Sequence, residues 1–501
     1  MLKRFAWLLS IVLLFVAGCE GDKKPGGDKG TPSHSSDPDI VLIGSEIEGM
    51  YLARAAADEG LHVVVLDPRS RPGGQLIQGE MLYLDEPFDG AGESLLQGRV
   101  KELFDRYKQG EIRKKEEFVN YFEAIADGIP IESGIEIIKI ETEQDTARSK
   151  QKIKSLTYRT AAGEEKTVTA KYWVENTDFA ALSSRLEVTG IPGIETVFGG
   201  SAKDYMAASI MMKFRKVDWA RFSGEINQLG QEKKEEIYGA GTYLTGTFAY
   251  GFGNIGKSYS PSQQDVFLRG LNIINQRDGD VLINALLVFD VDPANSQRIE
   301  EALAAGRKET DQVVQHLRQQ LPGWEEAEVN GYPEYLYIRD SDRYETEYVL
   351  QATDLFSGAM FWDNVSIAGY PIDLQGNKAN PWGTSTGKPD KYGMPLRAFQ
   401  LKGYTNVLTA GKNVGASAVA YGSARIQPNT SLAGEVIGII LGQIDGKNEL
   451  ADLSEKEMKK LHQYIKKNYG ITLSGVKADN KIAGYSEEQL EQINKGKLAV
   501  E

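Results

Sequence analysis

Cysteine occurs once in 501 residues, at Cys19, so the chain can form no internal disulfide. Histidine is almost as scarce. His34 lies in a polar N-terminal stretch, His62 opens an apolar run, and His316 and His462 fall on helical patterns away from every motif below, which disfavours a histidine base. Positive charge is in deficit: 57 Lys and Arg against 71 Asp and Glu leave a formal −14, which argues against nucleic acid as a partner and against docking of the folded body on anionic headgroups. There is no G-x-S-x-G elbow, and no His, Cys or carboxylate spacing suggests a metal site. Glycine is abundant, with 53 residues, but follows no period that would mark a repeat. The 41% of hydrophobic residues is ample for a large α/β core, and the length suggests two or three domains.

The lone cysteine has a telling position. Lys3-Arg4 precede twelve mostly apolar residues, 5–16, too few to span a bilayer comfortably, and Val16-Ala17-Gly18-Cys19 has the form of a lipoprotein signal-peptidase site. Residues 1–19 are expected to be a signal peptide ending in its lipobox, with lipidation at Cys19, and residues 20–38 a polar, flexible tether. Loss of Lys3 and Arg4 takes the charge from −14 to −16, so membrane attachment must rest on the lipid. The expected location is the extracytoplasmic face of the cell membrane. The n-region has no twin arginine, so export unfolded is expected, with any cofactor acquired outside the cytoplasm.

The most informative stretch follows. The apolar run Ile40-Val-Leu-Ile closes on Gly44, Gly49 and Ala53 lie on a helical stretch, and a second apolar run ends at Asp67, twenty-three residues after Gly44. That is the pattern of a dinucleotide-binding β-α-β unit: Gly44 permits the tight turn, Gly49 and Ala53 allow close packing, the helix N-terminus faces a pyrophosphate, and Asp67 takes ribose hydroxyls. Glu46 replaces the middle glycine of G-x-G-x-x-G, and its charge repels phosphate unless the side chain points away. A helix-opening turn without ligand explains the glycines taken alone.

Six residues past Asp67 comes Gly73-Gly74, and near the far end stand Asn406-Val-Leu-Thr-Ala-Gly411-Lys-Asn413 and Ala418-Val-Ala-Tyr-Gly-Ser-Ala-Arg425-Ile-Gln427-Pro428. With Tyr172-Trp-Val-Glu-Asn-Thr177-Asp178 between them, these segments resemble the FAD-dependent oxidoreductase family of two-dinucleotide-binding-domain flavoproteins. The resemblance spans most of residues 39–445 and implies one noncovalent FAD, contacted at Gly44, Glu46, Gly49, Asp67, Gly73, Gly74, Thr177, Asp178, Gly411, Arg425 and Gln427. It also implies an α/β fold: a Rossmann-like FAD-binding domain of the glutathione-reductase type with an inserted α+β substrate domain. We expect the FAD-binding domain in residues 39–186 and 396–445, the inserted domain in 187–395, and a polar helical tail in 446–501 with capping boxes at Ser454 and Ser486. Residues 135–141, 152–160 and 167–174 alternate as strands of a small meander.

In the inserted domain, Tyr337-Ile-Arg339-Asp-Ser-Asp-Arg343 and Tyr370-Pro-Ile-Asp373 resemble family segments, although the histidine that the family carries after the second is absent. Arg339 is the first choice for a guanidinium facing flavin and substrate, with Arg343 and Arg425 as weaker ones; a salt bridge explains each as well. Tyr370 and Asp373 can orient or deprotonate a substrate hydroxyl, or simply form a turn on Pro371. Two functions are open. One is a lipid-anchored, FAD-dependent oxidoreductase taking a hydride from a small organic substrate and passing electrons to an unknown acceptor; the other is a non-catalytic lipoprotein that keeps the flavin fold as a binding or scaffolding module.

Overall fold

Five short strands, β1 (Ile40–Ile43), β2 (Val63–Asp67), β3 (Ile131–Ser133), β4 (Tyr172–Glu175) and β5 (Val407–Thr409), form a parallel sheet in the order β5-β4-β1-β2-β3. Every residue of β1, β4 and β5 is buried, as expected of strands covered on both faces, which is why they read as unbroken apolar runs. The computed structural model describes residues 37–200 and 202–500. Cys19, the signal segment and the tether as far as residue 36 lie outside the described residues. Residues from Asp37 onward form one compact unit.

Helix α1 (Ile47–Asp58) leaves β1 through Gly44, whose φ of +91° and whose missing Cβ, which would stand 2.6 Å from the Asn176 carbonyl oxygen, both require glycine. Helix α2 (Gln427–Ile444) lies against α1 at backbone distance, because Gly434 and Gly438 present no side chain: a Cβ there would lie 2.2 Å from Glu48 O and 2.3 Å from Leu52 O. This contact sets the N-terminus of α1 beside the start of α2.

Between β3 and β4 the chain makes a three-stranded antiparallel meander, Glu136–Asp145, Lys150–Arg159 and Glu165–Val168. The single strand expected over 167–174 is two: the meander ends at Val168, and the wholly buried Tyr172–Glu175 passes into the parallel sheet as β4. Lys171 marks the break, pairing with Asp39 at 2.8 Å and Asp445 at 2.7 Å.

A second, antiparallel sheet runs in the order Tyr243–Leu244, Phe248–Gly251, Val266–Asn275, Val281–Val288, Ala208–Arg215, Glu328–Val329, with the 25-residue helix Ser296–Gln320 packed on it. The helices Glu455–Tyr469 and Glu487–Asn494 open at capping boxes on Ser454 and Ser486, as expected. They are not a detached tail. Met458, Ile465, Ile471 and Ile493 are buried in the main core, and Val500 N–H donates to Thr386 O.

Candidate functional site

The turn from β1 into α1 departs from the sequence expectation at Glu46. Its side chain points inward, 4% exposed, and its carboxylate accepts from Gln75 N–H at 2.9 Å and from the Arg69 guanidinium at 2.6 Å. Gly74, at φ +48°, leaves a space that this carboxylate fills, since a Cβ there would meet it at 2.4 Å, while the Ile77 side chain fills the place of a Cβ on Gly73, at φ +102°. Burial favours protonation of Glu46, but Lys412, Arg69 and the Gln75 N–H outweigh it and hold the group below the usual carboxylate range. Arg69 also pairs with Asp178, lies 4.4 Å from the Tyr335 ring centre, and shares Asp178 with the Gln75 amide. Burial raises Asp178 despite Arg69.

Asp67, at the end of β2, is 1% exposed and accepts from Ser45 O–H and from Arg69 N–H at 2.8 Å, while Gly73 N–H donates to Ser45 Oγ at 2.8 Å. Gly49 acts in packing: the Asn176 side chain fills the place of its Cβ and donates to Glu46 O at 2.8 Å. Thr177 does not face the site. Its hydroxyl donates to Glu175 at 2.8 Å and accepts from Ala181 N–H at 2.9 Å, because the buried Glu175 carboxylate gathers the whole turn, including Leu182 and Ser183 N–H.

From the other end of the chain, Gly411 (φ +60°) places Lys412 beside α1. Lys412, 8% exposed, stands within electrostatic reach of Glu46, Glu48 and Asp178. Glu48 is pushed up to about 7, chiefly by burial, with Lys412 opposing. Neither Lys412 nor Glu48 was singled out from the sequence; Lys412 stands where the family pattern has arginine after the Ala-Gly pair.

Glu46, Glu48, Gln75 and Lys412 line a cleft with about 60 Å³ of open space, below the roughly 300–1,000 Å³ usual for small-molecule sites. Arg425, Gln427 and Pro428 close it from the start of α2, and Tyr337, Met81, Tyr83 and Asp85 from the other side. Arg425 is 4% exposed, points Nη1 at the Tyr337 hydroxyl (3.4 Å) and Nη2 at Asp373 (3.8 Å), and has no partner for Nε among the described residues.

Arg339, the first choice from the sequence, does not reach the cleft. Tyr337 pairs with Ser209 along the second sheet, which carries Arg339 over the same strand to donate to Ala207 O and to Ser209 Oγ at 2.8 Å. Its guanidinium stacks 4.5 Å from the Tyr337 ring centre, and burial lowers it to about 10. Tyr337 faces the cleft in its stead. Arg343 is a buried salt bridge with Asp340, 3.6 Å over the Tyr421 ring.

Tyr370 and Asp373, from one segment, and Arg425, from just before α2, meet around one residue that the sequence reading missed, Asp85. The Tyr370 hydroxyl donates to its carboxylate; burial pushes it up to about 6, Asp373 adds to this, and Arg425 and Arg269 oppose it. Its only sequence signal is an acidic residue within the run Met81-Leu-Tyr-Leu-Asp85, soon after Gly73-Gly74.

The residues fit FAD at both ends: a buried carboxylate at the end of β2 for ribose, and an unpartnered Arg425 Nε in a cleft at a helix N-terminus for the ring system. Between them, at the middle-glycine position, Glu46 takes the kind of donors a phosphate would take, a backbone N–H and a guanidinium.

The sequence matches the family described as FAD dependent oxidoreductase over residues 39–463. No curated protein matches it. Similar solved structures include a geranylgeranyl bacteriochlorophyll reductase-like protein from Thermoplasma acidophilum (11% identity, 86% of this chain and 84% of that one, TM-score 0.37). A tetracycline destructase (9% identity, 92% and 96%, TM-score 0.40) and p-nitrophenol 4-monooxygenase from Pseudomonas putida (12% identity, 92% and 98%, TM-score 0.36) are others. Likeness at this level transfers neither activity nor substrate.

Proposed function

The chain belongs to the FAD dependent oxidoreductase family, a flavin-dependent enzyme with FAD as cofactor, and from that premise we propose that it takes a hydride from a small organic substrate while anchored by lipid at Cys19 on the extracytoplasmic face of the cell membrane. FAD, when bound, supplies the two-electron acceptor. Asp67 holds the ribose, Gly73, Gly74 and the N-terminus of α1 the pyrophosphate, and Gly411, Arg425 and Gln427 the flavin end. Arg425 supplies fixed positive charge, which stabilises negative charge developing in a dry cleft far more than water does. Leu76, Met81 and Ile426 supply apolar lining to the same cleft. Electrons leave to oxygen, a quinone or another carrier.

The observation that carries this reading is Arg425 itself, buried with an unpartnered Nε beside Tyr337 and Asp373 at the mouth of a helix. We assign the FAD-binding part to the glutathione-reductase type; the antiparallel meander inserted between β3 and β4 supports this. A division at about residues 187 and 395 is supported by the second sheet, all of whose strands lie between them.

A screen of organic substrates under anaerobic conditions, following loss of the oxidised flavin band, tests the redox reading. Protein that takes up no FAD when reconstituted would favour the non-catalytic alternative, for which Glu46 at the middle-glycine position speaks. For the anchor, Cys19→Ala should leave an unlipidated precursor uncleaved at this site, and unaltered processing and membrane retention would count against it.

A further inference from the structure

A second chamber, of about 280 Å³, adjoins the cleft and shares Tyr83, Leu84 and Asp85 with it as lining residues. Six aromatic residues line the chamber: Tyr83, Phe88, Phe104, Tyr107, Phe248 and Tyr370. Phe248 comes from the second sheet and Phe104 and Tyr107 from the helix Gly98–Gln109, so the chamber forms only where the two sheets' layers meet. Aromatic walls of this kind offer ring faces and edges to a planar apolar ligand.

Its charged groups are few. Lys108 and Glu86 pair with each other at 2.6 Å, leaving Asp85 as the one charged lining residue without an opposite charge inside the chamber. The Tyr370 hydroxyl already donates to Asp85, so what these two groups still offer a ligand is acceptor capacity. An anion is repelled by Asp85. A cation is disfavoured as well, since Arg425 and Arg269 already face that carboxylate from the other side.

We propose that this chamber binds the substrate, a neutral ring compound bearing a hydroxyl group, and that Asp85 is the catalytic residue that accepts the hydroxyl proton. The proposal rests on the redox reading above and names its substrate class. The substrate alcohol would be oxidised to a carbonyl: the O–H bond breaks with its proton going to Asp85, the carbinol hydrogen leaves together with the C–H electron pair as hydride, for which bound FAD would be the acceptor, and the C=O double bond forms. The groups that set the protonation of Asp85 are Tyr370, Asp373, Arg425 and Arg269, with Tyr83 and Tyr107 nearby.

The test is calorimetric titration of the FAD-loaded protein with benzyl alcohol and with benzoate, in wild type, Asp85→Asn and Phe248→Ala. Expected is binding of benzyl alcohol over benzoate, an affinity that rises several-fold as pH is raised through about 6, loss of that pH dependence in Asp85→Asn, and roughly tenfold weaker binding in Phe248→Ala. Preference for benzoate, a pH dependence unchanged in Asp85→Asn, or unchanged affinity in Phe248→Ala overturns the proposal. Benzyl alcohol binding with the expected variant effects but without flavin bleaching supports the chamber and counts against the redox reading. Bleaching by another substrate at an equal rate in wild type and both variants overturns the chamber and leaves the redox reading standing.

Discussion

Removing the Glu46 carboxylate should tighten FAD binding, although it breaks a buried ion pair. Glu46 competes with the incoming pyrophosphate for Arg69 and for Gln75 N–H, and it stands as a buried negative charge against a second one. Two like unit charges about 4 Å apart cost about 4 kcal/mol at an effective dielectric of about 20. Part of that is lost because Arg69 also holds Asp178, so a gain of about 1.4–2.8 kcal/mol, roughly ten- to a hundredfold in Kd, is expected. Glu46 has φ −61° and ψ 146°, which alanine adopts without strain, so Glu46→Ala tests charge and not backbone. Without FAD the variant should be less stable by about 1–3 kcal/mol, since Gln75 N–H and one side of Arg69 lose their acceptor in a buried setting. Glu46→Gln keeps the shape and one acceptor, and should recover most of the stability while keeping the affinity gain. Apo-protein titrated with FAD by flavin fluorescence, with thermal melts at zero and saturating FAD, reads both effects. If both variants lose tenfold or more in FAD affinity while their circular dichroism is unchanged, Glu46 is a cofactor ligand and the competition argument is wrong.

Arg425→Gln should lower the reduction potential of the bound flavin by roughly 30 mV or more, equivalent to about 1.4 kcal/mol for a two-electron couple, whereas Arg339→Gln should act mainly on the melting temperature; a larger potential shift from Arg339→Gln would reverse the assignment. Gly434→Ala places a Cβ 2.2 Å from Glu48 O, so α1 and α2 must separate. A loss of about 1–3 kcal/mol in denaturant titrations and reduced FAD content are expected, and wild-type values for both would show that the helix contact is not tight.

The parts of this molecule legible in its sequence are those where one local pattern has one physical solution. The wholly buried strand β1, the largely buried β2, the turn glycine Gly44 and the capping boxes at Ser454 and Ser486 are of this kind, because burial on both faces, a positive φ and an unsatisfied helix end each restrict residue choice strongly. The Ala-Gly pair lies where the parallel strand β5 ends, whereas Arg425 lies between the helix Ala418–Ala424 and α2. Arg339 was misplaced because its surroundings are set by a pairing between Tyr337 and Ser209, more than a hundred residues apart, and no local pattern states which face of the second sheet a side chain takes. Asp85 was missed on the same ground. Its chemistry comes from Tyr370, Asp373, Arg425 and Arg269, none of them near it in sequence, so a lone aspartate in an irregular loop acquires meaning only when two sheets and two helices are assembled around it. Glu46 shows the opposite case: the departure from the glycine pattern was plain in the sequence, but its sense depended on Gly74 and Arg69, which turn an expected intruder into an internal anion seated where donors already converge. A site built by convergence of distant segments is therefore open to change at single positions that leave the strand and helix patterns intact, which is how one dinucleotide-binding frame can carry different chemistries at the same cleft.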